Sequence, residues 1–214
     1  MRSRLKLERA FYARDDVVEI SRALIGKVLC TRIRGVTTSA FITETEAYAG
    51  ADDRASHAYG GRRTKRTEPM FGPAGTAYVY LCYGIHHLFN VVTGDIDTPH
   101  AVLIRAARPL SGEALMRRRR GRDAADPNLL GGPGSLAKAL GIRTRHSGLS
   151  LLGNVIWIED HGFRVDAEAI MVGPRIGVDY AGADAQRPYR FRLVDPPLVA
   201  RGRQIDRGRP RDLD

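Results

Sequence analysis

Two segments rich in β-branched and aromatic residues constrain the fold more than any other part of the sequence. They are residues 76–83 and 87–93, and they flank Gly84. Because glycine accommodates the tight turn between two antiparallel strands, this pattern predicts a β-hairpin whose turn lies near Tyr83 and Gly84. We expect this hairpin to protrude from the domain.

Further segments with strand character favour a sheet that is largely antiparallel. Residues 28–33 and 39–45 flank Gly35 and predict a second hairpin. Three more strands are predicted at residues 101–106, 155–159 and 190–193. Because alternating βαβ units are missing, we predict a single α+β domain with a curved, largely antiparallel sheet, flanking helices and a protruding β-hairpin.

Three helices are predicted to flank this sheet. Asp15 or Asp16 can cap the first of them, and Gly26 lies where a glycine stop is expected. The other two are predicted at residues 111–120, ending in four consecutive arginines, and at residues 135–140.

Two stretches of the chain lack a sustained apolar period. Residues 48–73 are polar and rich in Gly and Arg, which predicts a long functional loop with short helical pieces. Residues 201–214 contain almost no apolar side chains, and we expect a disordered basic tail there. The folded domain is therefore assigned to residues 1–200.

Charge and cysteine content narrow the classes of function. Lys and Arg total 34 against 24 acidic residues, and the resulting net charge of +10 favours a polyanionic partner such as nucleic acid. The alternative is an ordinary Arg-rich surface. The two cysteines, Cys30 and Cys82, indicate reduced thiols and argue against a disulfide framework or a Cys-based zinc site. No apolar run approaches the roughly 18 residues that cross a bilayer and no secretory pattern is present, so we expect a cytoplasmic protein without a membrane partner.

An acidic pair stands at the end of the second predicted hairpin. Strand alternation places Glu44 and Glu46 on one face, with Tyr48 near the end of the strand. Crowding or burial of two carboxylates raises the pKa of one of them, which suits that group to act as a general base on water. The alternative is a solvated face of an edge strand.

A divalent-metal site remains a rival interpretation of the same region. Asp52, Asp53 and His57 follow the acidic pair within a few residues. Together these groups could serve a metal-dependent nuclease or phosphatase, although their spacing lacks the compactness of known metal motifs.

Tyrosines are concentrated in the first hairpin, at positions 78, 80 and 83. A tyrosine at the hairpin tip can wedge into a base stack, whereas a tyrosine inside a strand can stack on an extruded base. His57 could add a further stacking surface. The alternative is a set of cross-strand aromatic pairs that stabilise the sheet.

Basic side chains and an amide-rich helix start could contact phosphates. The candidates are Arg62, Arg63, Lys65, Arg66, and the helix start at Gly134 and Ser135. A basic module that binds DNA or RNA without chemistry uses the same surface and stays open as an alternative.

Six motifs, in order and spacing, resemble the alkyladenine, or 3-methyladenine, DNA glycosylase family of the mammalian type. They are I-T-E-T-E-A-Y from Ile42, S-H-A-Y-G-G-R-R-T from Ser56, M-F-G-P-A-G-T-A-Y-V-Y from Met70, Y-G-I-H-H-L-F-N-V-V-T from Tyr83, A-V-L-I-R-A from Ala101 and G-G-P-G-S-L-A-K-A-L-G-I from Gly131. The resemblance extends from about residue 15 to residue 194.

The resemblance implies a hydrolytic centre around Glu46. That residue would activate and orient the attacking water, Arg105 and the backbone carbonyl of Ile176 would help to hold the water, and Glu44 would be the supporting carboxylate.

The resemblance also implies how a flipped base is held. Tyr48 and His57 would stack on one side of the base and Tyr80 on the other, with the His57 backbone amide at the base edge. Tyr83, next to Gly84 at the hairpin tip, would fill the gap in the duplex. Asn90 would crowd the exocyclic amino group of guanine and so help to reject a normal base.

A monofunctional DNA N-glycosylase that leaves an abasic site is the activity implied. The partner would be double-stranded DNA, no metal or other cofactor would be needed, and we expect a monomer. Three positions differ from residues that are common in the family: Ser135, Lys65 and Thr67. These differences affect the expected phosphate contacts more than the expected catalytic step. The sequence does not indicate which base is the preferred substrate among 3-methyladenine, 7-methylguanine, hypoxanthine and etheno bases.

Overall fold

The structure, a computed structural model, describes residues 5–121, 128–194, 199–200 and 203–204. Its α-helices are Arg9–Tyr12 (α1), Val17–Ala23 (α2), Glu113–Arg120 (α3) and Pro133–Leu140 (α4). Its strands are Leu5–Lys6 (β1), Val28–Ile33 (β2), Val36–Tyr48 (β3), Ala77–Cys82 (β4), His86–Thr93 (β5), His100–Ser111 (β6), Ile156–Asp160 (β7), Phe163–Arg164 (β8), Ile170–Gly173 (β9), Arg190–Leu193 (β10), Val199–Ala200 (β11) and Arg203–Gln204 (β12).

Nine of these strands form one curved antiparallel sheet, which confirms the predicted α+β fold. The order along the sheet is β1-β7-β2-β3-β6-β5-β4, and β10 pairs with both β3 and β9. The central strand β3 thus has neighbours on both edges along its length, with β10 pairing beside its carboxyl end. The acidic pair, Glu44 and Glu46, lies at this end of β3, so neighbouring strands flank it on both sides.

The main core lies between this sheet and helices α2 and α4. Ile20 from α2, Leu24 at the C-cap of this helix, and Leu136 and Leu140 from α4 are fully buried there. Asp16 caps α2, because its Oδ1 accepts hydrogen bonds from the backbone N–H groups of residues 18 and 19 at 2.7 and 3.1 Å. The sequence left Asp15 and Asp16 open as caps, and the structure selects Asp16.

Several element ends differ from the prediction for physical reasons. Strands β3 and β6 are longer than the predicted 39–45 and 101–106, because they pair with each other along most of their length. The helix predicted from residue 111 begins at Glu113, since Ser111 still belongs to β6. Helix α4 begins at Pro133 instead of residue 135, as proline is tolerated in the first helical turn.

The polar segment 48–73 contains short helical pieces, as predicted. These are 3₁₀ helices at Gly50–Asp52, Tyr59–Gly61 and Glu68–Phe71. Apart from the two residues of β12, the tail 201–214 lies outside the described residues. In the part of the chain that is described, no helix is both long enough and apolar enough to cross a membrane.

Candidate active site

The predicted hairpin is formed by β4 and β5, and its turn contains Tyr83 and Gly84. Both residues have positive φ angles, of 50° and 72°. The turn is closed by a hydrogen bond from the backbone N–H of Ile85 to the carbonyl of Cys82 at 3.1 Å. The Tyr83 side chain is 90% exposed and Ile85 is 71% exposed. Two large apolar side chains therefore project into solvent at the tip.

A cavity of about 500 Å³ opens beside one face of the hairpin. Aromatic side chains dominate its lining, which includes Tyr48, His57, Tyr78, Tyr80, Tyr83 and Tyr180. Asn90, Arg105 and Ile176 supply polar groups at its wall. A concave, aromatic cavity of this volume suits a flat ring system with hydrogen-bonding edges.

Glu46 is fully buried and does not itself line this cavity, but three residues that contact it, Tyr48, Arg105 and Ile176, do. Both of its carboxylate oxygens are engaged. Its Oε2 accepts a hydrogen bond from the Tyr48 hydroxyl at 2.9 Å. Its Oε1 accepts one from the backbone N–H of Ile176 at 2.8 Å and lies 3.3 Å from Arg105 Nη1. A carboxylate oxygen can accept two hydrogen bonds, so Oε2 retains capacity for one further donor. Because the side chain is fully buried, a water can use this capacity only after the neighbouring groups move. Ile176 thus contacts the acid through its N–H group, and the role of its carbonyl stays a prediction.

The pKa of Glu46 is raised above the ordinary glutamate value. Burial is the largest cause, because it disfavours the charged form. The charge of Arg105 and the hydrogen bonds from Ile176 and Tyr48 act in the opposite direction, and the charge of Glu44 adds to the rise. A carboxylate that is more basic than usual, yet held in one orientation, is suited to accept a proton from water.

A bulge in β6 directs Arg105 at both glutamates. The β3–β6 register passes from Thr45 opposite Ile104 to Glu44 opposite Ala106, which leaves Arg105 without a direct partner. Its Nε donates to Glu44 Oε1 at 3.0 Å, while its Nη1 approaches Glu46. The predicted shared face of the two glutamates is confirmed by this common partner.

Glu44 has a second cationic partner that the sequence analysis did not identify. Arg190 in β10 donates from Nε to Glu44 Oε1 at 2.6 Å. The strand containing Arg190 was predicted, but its pairing with β3 was not, and that pairing alone brings the two side chains together.

Arg175 and Asp53 form a fully buried ion pair behind the site, which the sequence analysis also missed. The Nη2 of Arg175 donates to Asp53 Oδ1 at 2.8 Å, and Nη1 contacts the other carboxylate oxygen. The guanidinium carbon lies 4.8 Å from the centre of the Tyr48 ring, and Nη1 donates to the carbonyl of Ala47 at 2.9 Å. Because Ile176 is the next residue, this pair fixes two of the groups that hold Glu46.

The residues that were considered as ligands of a metal ion do not form one group in the structure. Asp53 is committed to Arg175, and Glu44 and Glu46 are each paired with arginine. Among the residues that the structure describes, no group of three or more His, Cys, Asp or Glu side chains is arranged to hold a metal ion.

His57 is a neutral group at pH 7 in this structure. Burial, together with the smaller effects of the nearby charges of Arg66 and Arg62, lowers the pKa of His57 to about 4. Its Nδ1 lies 2.8 Å from the Tyr78 hydroxyl, a contact that orients the ring.

His57 and Tyr80 touch, although the resemblance places them on opposite sides of a base. Their ring centres are 4.6 Å apart, and the planes meet at 78°. A planar ring stacked between two others needs about 7 Å between the outer planes, from two contacts of about 3.5 Å. The two side chains must therefore separate before a base can lie between them.

Asn90 is buried at the cavity wall, and a hydrogen bond to the backbone fixes its side chain. Its side-chain amide donates to the carbonyl of Tyr78 at 3.1 Å. This bond spans the β4–β5 pair and holds the side chain in one position.

The predicted phosphate-binding residues lie in different environments. Arg62, Lys65 and Arg66 are exposed, and the Arg66 guanidinium lies 5.0 Å from the centre of the Tyr80 ring. Arg63 is exposed as well, and its guanidinium forms a surface ion pair with Glu68 at 2.8 Å. A second carboxylate, from residue 97, lies 2.7 Å from the same group.

Gly134 and Ser135 lie in the first turn of α4. A Cβ at Gly134 would stand 2.9 Å from Nδ1 of His86, so the close approach of this helix to the hairpin requires glycine there. The two residues are thus held beside the hairpin, with Ser135 partly exposed.

Comparisons with known proteins identify the family of the chain. The family model described as methylpurine-DNA glycosylase matches residues 10–197. Relatives named "Putative 3-methyladenine DNA glycosylase" occur in Anaeromyxobacter dehalogenans, with 48% identity over 92% of this chain and 86% of the relative, and in Chlamydia felis, with 45% identity over 87% and 95%. A third, from Bacillus mycoides, is 43% identical over 90% of this chain and 98% of its own length. All three relatives are bacterial.

Proposed function

Because the chain belongs to the methylpurine-DNA glycosylase family, we propose that it flips an alkylated purine out of duplex DNA and hydrolyses the bond between the base and its deoxyribose. Family membership makes it a DNA N-glycosylase of DNA repair. The observation that carries the finer proposal is the buried carboxylate of Glu46, oriented by three donors beside an aromatic cavity.

The proposed chemical step uses Glu46 in two ways. Cleavage of a glycosidic bond builds positive charge on the sugar, and a nearby carboxylate stabilises that charge. The same carboxylate accepts a proton from the attacking water through the free capacity of Oε2. Arg105 holds Glu46 and Glu44 in place, so little reorganisation is needed when the charge develops.

The aromatic cavity supports selection of cationic bases. An alkylated purine that carries positive charge is attracted to the faces of Tyr48 and Tyr80 and leaves the sugar readily. Because His57 is neutral at pH 7, it adds no repulsion against such a base. Asn90, held against the backbone, would crowd the amino group of guanine.

The proposed product is an abasic site in an intact strand. No amine is needed as a nucleophile when an activated water attacks the sugar, so no Schiff base with the DNA is expected. The proposed reaction, without a Schiff base, is that of a monofunctional glycosylase.

Duplex DNA is the proposed substrate because of the exposed hairpin tip and the basic residues around the cavity. Tyr83 would occupy the gap that the flipped nucleotide leaves, and Arg62, Lys65, Arg66 and Ser135 would contact phosphates. Arg63 is proposed for the same role, because it is exposed and its ion pairs with Glu68 and Asp97 lie at the surface.

The proposal is tested by incubating the enzyme in EDTA with duplexes that each contain one lesion, and by measuring the free base. Lesions should include 3-methyladenine, 7-methylguanine, hypoxanthine and etheno-adenine. Release of a methylated base in EDTA is expected. A module that only binds DNA would release none, and a metal-dependent nuclease would cut strands and lose its activity in EDTA.

Replacement of Tyr83 by alanine is expected to weaken base flipping without removing the catalytic groups. Stacking of one aromatic ring on a base contributes about 1–3 kcal/mol, so the flipping equilibrium should fall by about fivefold to 150-fold. A fluorescent base analogue next to the lesion reports the loss of stacking directly.

Two matched variants make the Tyr83 experiment specific. Tyr83→Phe keeps the ring and should retain flipping, and Tyr59→Ala removes an exposed tyrosine that does not line the cavity. Flipping that is unchanged in Tyr83→Ala would remove this residue from the wedge role.

A further inference from the structure

A second concave surface lies on the other side of the hairpin. This basic groove has a volume of about 630 Å³ and is bounded by the hairpin turn, α3, α4 and the β2–β3 turn. Seven Arg or Lys side chains line it, and five of these are exposed. The exposed ones are Arg34, Arg118, Lys138, Arg143 and Arg145.

The positive charge of the groove is not neutralised within the described protein. None of the lining residues is acidic, and none of the seven cations forms an ion pair with a carboxylate of the described residues. Elsewhere in the molecule, Arg63, Arg105 and Arg175 are all paired. An anion bound in the groove would relieve the repulsion among these side chains.

Crowding of like charges is strongest on α3. Arg118, Arg119 and Arg120 are consecutive at the end of this helix and all face the groove. Burial lowers the pKa of Arg119, and the charge of Arg118 lowers it further. The Arg119 guanidinium donates to the carbonyl of Ala139 at 3.0 Å, so it also joins α3 to α4 and gives the groove a rigid floor.

The hairpin connects the groove to the cavity. Ile85, His86 and His87 line the groove, whereas Tyr83 lines the cavity. The groove therefore begins next to the tip that carries Tyr83, within reach of a duplex that receives this side chain in its stack. B-DNA carries one phosphate charge per about 1.7 Å of helix axis, so several cations spread across a groove can be engaged at once.

We propose that the basic groove binds the phosphodiester backbone of the duplex that flanks the flipped nucleotide, on the side of the hairpin away from the cavity. This inference rests on the proposed function. The groove provides affinity that does not depend on sequence, while the cavity provides recognition of the lesion.

The test is a triple variant that removes three exposed cations from three different elements. Arg34→Gln, Arg118→Gln and Lys138→Gln act on the β2–β3 turn, α3 and α4, and none of these side chains lines the cavity. A control triple, Arg22→Gln, Arg164→Gln and Arg192→Gln, removes the same net charge from exposed positions outside both surfaces.

Affinity for a lesion duplex should be measured by fluorescence anisotropy at several salt concentrations. For the groove variant, the slope of log K against log[salt] should become shallower by about 2–3, and affinity near 0.1 M salt should fall by at least about tenfold. Base release at saturating enzyme should be unchanged. A slope equal to that of the control triple would overturn the proposal.

Duplexes with one shortened flank locate the contact. The defect of the groove variant should vanish when the flank over the groove is removed and should persist when the opposite flank is removed. A defect that is the same on both duplexes would also overturn the proposal. If the wild type releases no base from any lesion, the proposed function fails, whereas normal release with an unchanged salt slope counts against the groove alone.

Discussion

Glu46→Gln is expected to lower the rate of base release by about three to five orders of magnitude, while the affinity for a lesion duplex stays close to that of the wild type. Glutamine keeps the size of the side chain and one oxygen that can accept from Ile176 N–H. It lacks both the proton affinity and the negative charge on which the chemical step depends. Proton transfer is worth about two to four orders of magnitude in rate and charge stabilisation about two to three, and the two losses overlap because one side chain serves both roles. Single-turnover kinetics with excess enzyme, together with a binding titration, separate the two quantities.

Glu44→Gln is the matched comparison for this variant. It changes a carboxylate that shares Arg105 with Glu46, but it leaves Glu46 intact. The loss of rate should be much smaller than in Glu46→Gln. Near-normal base release by Glu46→Gln would exclude Glu46 as the base.

The pH profile gives an independent check on the same residue. Because burial raises the pKa of Glu46, its carboxylate becomes protonated, and inactive as a base, at a higher pH than an ordinary glutamate with a pKa of about 4.3. The single-turnover rate should therefore fall as the pH is lowered through this raised pKa. The residual rate of Glu46→Gln should lack that acidic limb.

Arg175→Met is expected to destabilise the protein more than any substitution at an exposed arginine. It would leave the carboxylate of Asp53 fully buried without its cationic partner. Breaking a buried pair from one side lowers the free energy of unfolding by about 3–5 kcal/mol. Urea denaturation followed by circular dichroism measures the change, and Arg63→Met, at an exposed ion pair, should have little effect.

A double variant tests the cause of this destabilisation. Asp53→Asn removes the buried charge and keeps one oxygen, which can accept from the backbone N–H of Ala49 or of Ala55 but not from both, because these groups donate to different carboxylate oxygens. Arg175→Met combined with Asp53→Asn should therefore recover part of the lost stability. If the double variant is as unstable as the sum of the two single variants, the unpaired charge is not the cause.

Local sequence signals predicted the parts of the fold that depend on neighbouring residues. The turn at Tyr83 and Gly84 follows from glycine between two strand-like segments, and strand alternation places Glu44 and Glu46 on one face. These features depend only on residues that are close together in the sequence, so the sequence alone predicts them.

The missed features all depend on contacts between distant parts of the chain. Arg175 and Asp53 are 122 positions apart, and Arg190 reaches Glu44 across 146 positions. Neither arginine differs in sequence from the many that are exposed, so only the pairing of β10 with β3 and the folding of the segment around residue 175 reveal their partners. The bulge that directs Arg105 is likewise a property of the register between two strands.

The contact between His57 and Tyr80 could not be deduced from the resemblance either. A resemblance assigns residues to the two sides of a bound base, but it does not give the distance between these residues in the protein without DNA. The 4.6 Å between the ring centres follows from packing around Tyr78, which contacts both rings.

The central claim is that a water activated by Glu46 removes a methylated purine and leaves the DNA backbone whole. The most direct measurement incubates a duplex with one 3-methyladenine and excess enzyme in EDTA, and counts free base, abasic sites and strand breaks in the same sample. We predict one abasic site for each released base, strands that break only after alkali, and no product trapped by borohydride. Strand breaks before alkali, a borohydride-trapped complex, or a duplex that keeps its methylated base would contradict the claim.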